Sequence, residues 1–192
     1  MTAEPTRADA ELAVLAAGGD ERAYAQLVRR HQEGVYRLLR RYLGSADDAY
    51  EASHEAFVAA WRALARYDPN RAFGPWLRTI AINKARDRGR RLRVRGLFFG
   101  AKSLEEAGAL ENPDPAPRTD EGLILRERLT ALDRAIADLP SKLKEALLLT
   151  AIEGLSQQEA GAALGVSAKT IETRAYRARK RLVRALAEEA SS

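Results

Sequence analysis

The stretch that decides the fold covers residues 154–182 and reads GLSQQEAGAALGVSAKTIETRAYRARKRL. Ser156, followed three residues later by Glu159, predicts a capping box at the start of a short helix, and Gly165 predicts the end of that helix. Ser167 offers the N-cap of a second helix. The segment therefore predicts two helices joined by a tight turn, the helix-turn-helix arrangement.

The second of these helices has two unlike faces. Apolar residues recur at spacings of four, three and four: Ile171, Ala175, Ala178 and Leu182. The opposite face carries Lys169, Thr173, Tyr176, Arg177 and Lys180. Such hydroxyl, phenol and guanidinium groups suit base edges and phosphates in a major groove. A solvated charged helix in an ordinary bundle is the alternative, and the capped turn favours DNA binding.

Charge is distributed unevenly along the 192 residues, which have a formal net charge of +5. Arginines cluster at residues 86–95, and arginines and a lysine cluster at 174–184, whereas acids dominate residues 105–121. A basic excess indicates a polyanionic partner, and its separation into two clusters indicates two contact regions.

Several classes of protein have no support in the sequence. The chain has no cysteine, so nothing requires an oxidising compartment, and the N-terminus lacks the pattern of a signal peptide. No segment approaches the roughly 20 apolar residues of a membrane span. No phosphate cradle, nucleophile elbow or cluster of metal ligands is present. We therefore expect a cytoplasmic protein that is not an enzyme, has no cofactor or metal, and does not insert into a membrane.

The periodicity predicts an all-α fold of two small helical domains joined by a flexible linker. Four helices are expected in a domain of residues 8–95: a short one ending at Gly18-Gly19, one from the Asp20 cap to about Tyr42, one at 46–66, and one from about Phe73 to 95. Prolines and acids at residues 96–122 predict the linker. A leucine seam then opens a second domain at 123–188, with Leu125, Leu129, Leu132, Ile136 and Leu139.

The third predicted helix carries an acidic ridge, formed by Asp47, Asp48, Glu51 and Glu55. A separate stripe on this helix contains Tyr50, His54, Phe57, Trp61 and Leu64. Paired carboxylates can serve acid–base catalysis or bind a metal ion, but no enclosed pocket or ligand-spaced histidine accompanies them. A docking surface for a basic partner and a simply solvated face remain as interpretations.

The fourth predicted helix runs into the arginine cluster, whose outer face can lie along phosphates. Tyr67, Phe73 and Trp76 could offer rings on which an unpaired base stacks. The alternative is that Trp76 and Phe73 belong to the core. Asn83, with Thr79, Lys84 and Asp87 near it, is a candidate for hydrogen bonding to an exposed base.

The order of these features resembles the sigma-70 family of bacterial sigma factors, in its two-domain extracytoplasmic-function group. Region 2 of that family is similar to residues 47–69, DDAYEASHEAFVAAWRALARYDP, and 71–91, RAFGPWLRTIAINKARDRGRR. Region 4 is similar to residues 139–182, LPSKLKEALLLTAIEGLSQQEAGAALGVSAKTIETRAYRARKRL. The resemblance implies a dissociable subunit that binds core RNA polymerase and directs it to promoters.

The resemblance also assigns partners and residues. It implies docking on the clamp helices of the largest polymerase subunit through Asp47, Asp48, Glu51, His54, Glu55 and Phe57. Region 4 would contact the flap of the second largest subunit, and an anti-sigma factor would hold the protein inactive. The residues implied at the minus-10 promoter element are Tyr67, Asn70, Arg71, Phe73, Trp76, Asn83, Lys84, Asp87 and Arg88.

Promoter DNA at the minus-35 element would be read as duplex by the second helix of the helix-turn-helix. The residues implied are Ser167, Lys169, Thr170, Glu172, Thr173, Tyr176, Arg177 and Lys180. Three places depart from the family pattern: His54 replaces a glutamine, Glu51-Ala52 replaces an Asp-Leu pair, and Glu172 replaces a basic residue. Glu172 would accept a hydrogen bond from cytosine. The alternative function is a helix-turn-helix regulator that acts at operators without polymerase.

Overall fold

The structure is a computed structural model that describes residues 8–99 and 120–189. These residues form eight α-helices and no strand. The helices are α1 (Asp9–Ala17), α2 (Glu21–Leu43), α3 (Ala46–Ala63), α4 (Phe73–Phe99), α5 (Asp120–Ala137), α6 (Ser141–Leu147), α7 (Gln157–Leu164) and α8 (Ala168–Glu189). A 3₁₀ turn, Leu64–Arg66, follows α3, and a π-helix, Leu148–Ile152, continues α6. The all-α prediction is confirmed.

The first domain consists of α1 to α4. Asp20 caps α2 as predicted, because its carboxylate accepts hydrogen bonds from the backbone N–H groups of Arg22 at 2.9 Å and Ala23 at 3.1 Å. Leucines of α2 and alanines of α3 fill the core; the fully enclosed ones include Leu27, Leu38, Leu39, Ala49, Ala56 and Ala60. Small side chains on α3 let the backbones of α2 and α4 approach it closely.

The stripe predicted on α3 is not a uniformly buried face. Phe57 and Leu64 are buried, whereas Tyr50 is 71% exposed and His54 is exposed. The alanines of α3, one position away around the helix, take the core instead. The larger side chains are left on the outer surface of the domain, where they face the groove between α2 and α3.

Helical structure extends into both ends of the predicted linker. Helix α4 continues through residues 96–99, and α5 already begins at Asp120, within the predicted range of 96–122. The proline-rich segment that motivated the prediction lies outside the described residues. The domain boundaries of 8–95 and 123–188 stay predictions.

The second domain consists of α5 to α8 and buries only the C-terminal half of the predicted leucine seam. Ile136 and Leu139 are 2% and 7% exposed, whereas Leu125 and Leu129 are 54% and 43% exposed. The prediction that the leucine seam packs along its whole length was therefore wrong at Leu125 and Leu129. Helix α8 packs against α5, α6 and α7 and forms the centre of this domain.

The two domains touch through α6, whose two adjacent charged residues are buried. Lys144 donates hydrogen bonds to the carbonyl oxygens of Tyr42 at 2.9 Å and Ala137 at 2.5 Å, close to the ends of α2 and α5. Glu145 is 3% exposed and accepts a hydrogen bond from the Tyr42 hydroxyl at 3.0 Å. Burial and the carboxylate of Glu145 both raise the pKa of Tyr42, which keeps the phenol protonated as a donor.

Candidate nucleic-acid interface

The helix-turn-helix forms as predicted. The Ser156 hydroxyl accepts from the N–H of Glu159 at 3.2 Å, and the Glu159 carboxylate accepts from the N–H of Ser156 at 2.8 Å, which completes the capping box. The hydrogen bonds from Ser156 lower the pKa of Glu159. Ser167 caps α8 by accepting from the N–H of Thr170 at 3.1 Å, and Gly165 adopts φ = +66° in the turn.

Gly161 is a residue that the sequence analysis missed. A Cβ atom at this position would lie 2.7 Å from the carbonyl oxygen of Val166, closer than real side chains come to a backbone oxygen. The turn therefore folds back onto α7 with no room for a side chain. A glycine inside an otherwise good helical stretch, three residues before the helix ends at Leu164, was the available signal.

Helix α8 presents the two predicted faces. Ile171, Ala175, Ala178 and Leu182 are all less than 10% exposed. The opposite face is open to solvent: Lys169, Thr173, Tyr176, Arg177 and Lys180 are exposed. Glu172, beside this face, accepts from Lys169 at 2.8 Å in an exposed ion pair. The arrangement places donors of several kinds along one side of a 22-residue helix.

A polar recess of about 350 Å³ opens beside the exposed face of α8. Its lining includes Thr150, Gln157, Glu172, Thr173, Tyr176 and Arg179. Three of these residues belong to the predicted minus-35 set. The other three lining residues are not in that set. Thr150 and Gln157 lie on other elements, and Arg179 lies on α8 to the side of its outward face.

The aromatic residues predicted for the first domain form a cluster inside it. The ring centroids of Tyr67 and Phe73 lie 5.6 Å apart, and those of Phe73 and Trp76 lie 5.4 Å apart. Phe73 is 2% exposed and Tyr67 8% exposed, and burial raises the pKa of Tyr67. The structure agrees with the core alternative for Phe73, whereas Trp76 is only partly buried and presents ring surface for stacking. Tyr67, which was expected to stack, is buried as well.

The polar residues of the same set lie mostly at the surface. Asn70 and Arg71 are exposed in the loop before α4, where Asp68 orients Asn70 by accepting from its backbone and side-chain N–H groups at 3.0 Å. On α4, Asn83 is exposed and accepts from Arg86 at 3.3 Å. Lys84, the next residue on α4, is half-buried. Asn83 and Lys84 lie about three turns into α4, about 15 Å along the helix from the loop that carries Asn70 and Arg71.

Asp87 and Arg88, although adjacent on α4, have different neighbours. Asp87 pairs with Arg90 of the same helix at 2.9 Å. Arg88 turns instead to the acidic ridge of α3 and donates to Asp48 at 2.6 Å and Glu51 at 2.5 Å. Burial alone would lower the pKa of Arg88, but the two carboxylates raise it overall.

An open groove of about 660 Å³ lies between α2 and α3, beside the acidic ridge. Its walls are mainly aromatic and aliphatic: Tyr24, Val28, Tyr36, Tyr50, Phe57, Val58 and Trp61, with His54 and Glu33 at polar positions. The Tyr24 hydroxyl donates to the carbonyl oxygen of Phe57 at 2.5 Å and ties α2 to α3, and burial raises the pKa of Tyr24 to about 12. Ridge and groove together form one outer face, which we call the α3 face.

Neither metal binding nor membrane spanning has support in the part of the chain that the structure describes. There, no three His, Asp or Glu side chains converge in a way that could hold a metal ion. The described helices also include none with the length and apolar character needed to cross a bilayer.

Comparison with known proteins matches both domains. The family model for Sigma-70 region 2 matches residues 27–95, and the model for Sigma-70, region 4 matches residues 129–182. RNA polymerase sigma factor CnrH of Cupriavidus metallidurans is 40% identical over 181 residues, which cover 93% of this chain and 94% of the relative. The ECF RNA polymerase sigma-E factor of Escherichia coli K12 is 35% identical over 171 residues, 84% of this chain and 85% of the relative.

A solved structure supports the same assignment. The structure of CnrH in complex with the cytosolic domain of CnrY superposes with a TM-score of 0.67 and 32% identity, covering 97% of this chain and 100% of that one. Two family regions in the expected order, on a fold shared along the whole length, leave no observation that favours an operator-binding regulator acting alone. The chain belongs to the sigma-70 family, in its extracytoplasmic-function group, and is a sigma factor that binds core RNA polymerase and directs promoter-specific initiation of transcription.

Proposed function

We propose that this sigma factor divides its work among three surfaces: the α3 face for polymerase, the exposed residues of α4 and of the loop before it for the minus-10 element, and the outward face of α8 for the minus-35 element. The observation that carries the proposal is that the exposed members of the three predicted residue sets lie on different elements of a chain with both sigma regions: on α3, on α4 with the loop before it, and on α8 with its N-cap.

Docking on polymerase would use Asp47, Asp48, Glu51 and Glu55 for charge and the neighbouring groove for apolar contact. Glu51 and Glu55 side chains are 62% and 40% exposed, so basic groups of a partner can reach them. The groove accommodates side chains of an amphipathic helix, which suits the clamp helices of the largest subunit. His54 lies in the groove wall, where the family usually has a glutamine that can also donate and accept.

Opening of the minus-10 element would depend on Asn70, Arg71, Asn83 and Lys84. Extruding a base costs a few kcal/mol of stacking and pairing, which contacts to the exposed base must offset. Asn83 supports this role because an amide both donates and accepts, and it lies at the surface beside cationic side chains. Tyr67 and Phe73 would support the loop from beneath rather than contact the DNA.

Recognition of the minus-35 element would use Ser167, Lys169, Thr170, Glu172, Thr173, Tyr176, Arg177 and Lys180 in the major groove. A helix with its N-terminal half entering the groove is the docking geometry of this motif. Glu172 would give up its exposed pair with Lys169 to accept from a cytosine amino group, which adds a sequence preference at that position.

Further partners follow from the family. We propose that region 4 also contacts the flap of the second largest polymerase subunit, and that an anti-sigma factor holds the protein inactive. The solved complex of the relative CnrH with the cytosolic domain of CnrY supports a protein partner of this kind. The protein would act in the cytoplasm and have no catalytic activity of its own.

In vitro transcription with purified core polymerase on fragmented genomic DNA tests the function and reveals the promoter sequence. Specific transcripts should require the factor, and equal initiation by core alone would contradict the proposal. On a promoter so identified, Asn83→Ala should reduce permanganate reactivity of the opened strands while duplex binding by the holoenzyme persists. Wild-type permanganate reactivity would remove Asn83 from strand opening.

A further inference from the structure

Arg88 joins the helix that carries the minus-10 residues to the acidic ridge of α3. Its Nε lies 2.6 Å from Asp48, one terminal nitrogen lies 2.5 Å from Glu51, and the other lies 3.8 Å from Glu55. The side chains of Arg88 and Asp48 are 19% and 20% exposed, so this part of the contact is largely shielded from water. One guanidinium thus faces three carboxylates of one helix.

Its neighbour Arg90 makes a useful contrast. Arg90 lies on the same helix, is 72% exposed at the side chain and pairs locally with Asp87. Its guanidinium can exchange Asp87 for a phosphate at little cost, since exposed ion pairs are weak. Arg88 would have to leave a half-buried carboxylate behind, which is an expensive exchange.

The three carboxylates repel one another, because residues three and four apart lie on the same side of a helix. Arg88 offsets that repulsion and fixes the direction in which Asp48 and Glu51 point. It engages one oxygen of each, Oδ1 of Asp48 and Oε2 of Glu51. Because the Glu51 side chain is 62% exposed, its second oxygen can accept a hydrogen bond from a partner.

We propose that Arg88 is a positioning residue for polymerase docking, which acts by holding the acidic ridge in a fixed arrangement before the partner arrives, rather than a contact to promoter DNA. A pre-arranged set of acceptors loses less side-chain freedom on binding than a mobile one. This inference rests on the proposed role of the α3 face.

The affinity of the full-length protein for core polymerase, measured without DNA, tests the inference. Arg88→Ala should weaken binding by about tenfold, equivalent to about 1.4 kcal/mol. Arg90→Ala is the matched control: it removes the same charge from the same helix and should change the affinity for core less than twofold. Equal affinities of wild type and Arg88→Ala would overturn the proposal.

Measuring the effect of Arg88→Ala in a variant that lacks two of the ridge carboxylates distinguishes positioning of the ridge from general damage to the fold. In the double variant Asp48→Asn, Glu51→Gln, which has lost the carboxylates that Arg88 arranges, adding Arg88→Ala should have almost no further effect on core affinity. A further tenfold loss there would indicate damage to the fold and overturn the proposal. If Asp48→Asn, Glu51→Gln binds core as tightly as wild type, the ridge itself is not the docking surface, and the proposed function of the α3 face fails instead.

Discussion

Helices α4 and α8 are both long, basic and assigned to DNA, but their cations are used differently. Three arginines of α4 pair with carboxylates on distant elements: Arg78 with Glu153, Arg86 with Glu145, and Arg88 with Asp48. The ion pairs of α8 are local and exposed, as between Lys169 and Glu172 or Arg184 and Glu188.

The difference shows that arginine content alone does not identify a DNA-binding helix. On α4 a large share of the positive charge holds tertiary structure together, including the contact between the two domains. On α8 the outward cations remain at the surface, where phosphates and bases can reach them. Substitutions on α4 should therefore change stability, whereas outward substitutions on α8 should change affinity for DNA.

The largest effect is expected at Glu145, the buried carboxylate that pairs with α4. Arg86 donates to it twice, at 3.0 and 2.8 Å, and Tyr42 donates at 3.0 Å. Glu145→Gln should lower the free energy of unfolding by about 3 kcal/mol, because charged hydrogen bonds are lost in a buried position. The shift of the urea midpoint measures this. Glu172→Gln, which removes an exposed partner on α8, should change the free energy of unfolding by less than about 0.5 kcal/mol. Equal shifts of the urea midpoint in the two variants would contradict the difference between α4 and α8.

Two glycines test how tightly each helix is held by its surroundings. Gly161→Ala should lower the free energy of unfolding by about 2 kcal/mol, because the new methyl group meets the Val166 carbonyl in the turn that positions α8. Gly89 lies within α4, and a Cβ there meets no described atom within 4 Å. Gly89→Ala should instead stabilise the protein by about 0.5–1 kcal/mol. Thermal unfolding of the two variants measures both effects. Destabilisation by Gly89→Ala as well as by Gly161→Ala would contradict the expectation that only the turn after α7 excludes a side chain.

The third prediction concerns DNA affinity and tests the outward face of α8. Arg177→Ala should weaken holoenzyme binding at the minus-35 element by about 1.4 kcal/mol, or about tenfold, with little change in stability. Quantitative footprinting at fixed salt measures it. Arg134→Ala, an exposed arginine on α5, controls for net charge. An upstream footprint that is unchanged in Arg177→Ala would remove this residue from recognition.

Local features of both domains could be predicted from sequence because their causes are local. The caps at Asp20, Ser156 and Ser167 and the buried stripe of α8 depend on residues within one or two turns. The seam through Leu125 and Leu129 failed because periodicity reports which side of a helix is apolar, not whether a partner covers it. Tyr50 is exposed for a related reason, because small alanines take the core side of α3.

The sequence does not indicate which charged residues far apart in the chain form ion pairs. Arg88 is 40 residues from Asp48, and Arg86 is 59 residues from Glu145. Nothing in either arginine's neighbourhood distinguishes it from Arg90 or Arg91. The two residue sets implied for polymerase and for the minus-10 element were treated as separate, whereas Arg88 belongs by contact to the first and by position to the second.

Glu145 connects the two domains by accepting hydrogen bonds from Tyr42 and Arg86. Positions minus-35 and minus-10 are about 25 base pairs apart, about 85 Å of duplex at 3.4 Å per base pair, whereas α8, at 22 residues, is roughly 33 Å long. A compact chain of 192 residues has a radius of gyration of about 16 Å, so on the proposed assignments both elements can be bound at once only if the contact between Tyr42 and Glu145 is broken. Together with the Arg78–Glu153 pair and the bond from Lys144 to the carbonyl oxygen of Tyr42, Glu145 would therefore oppose simultaneous binding of the two elements.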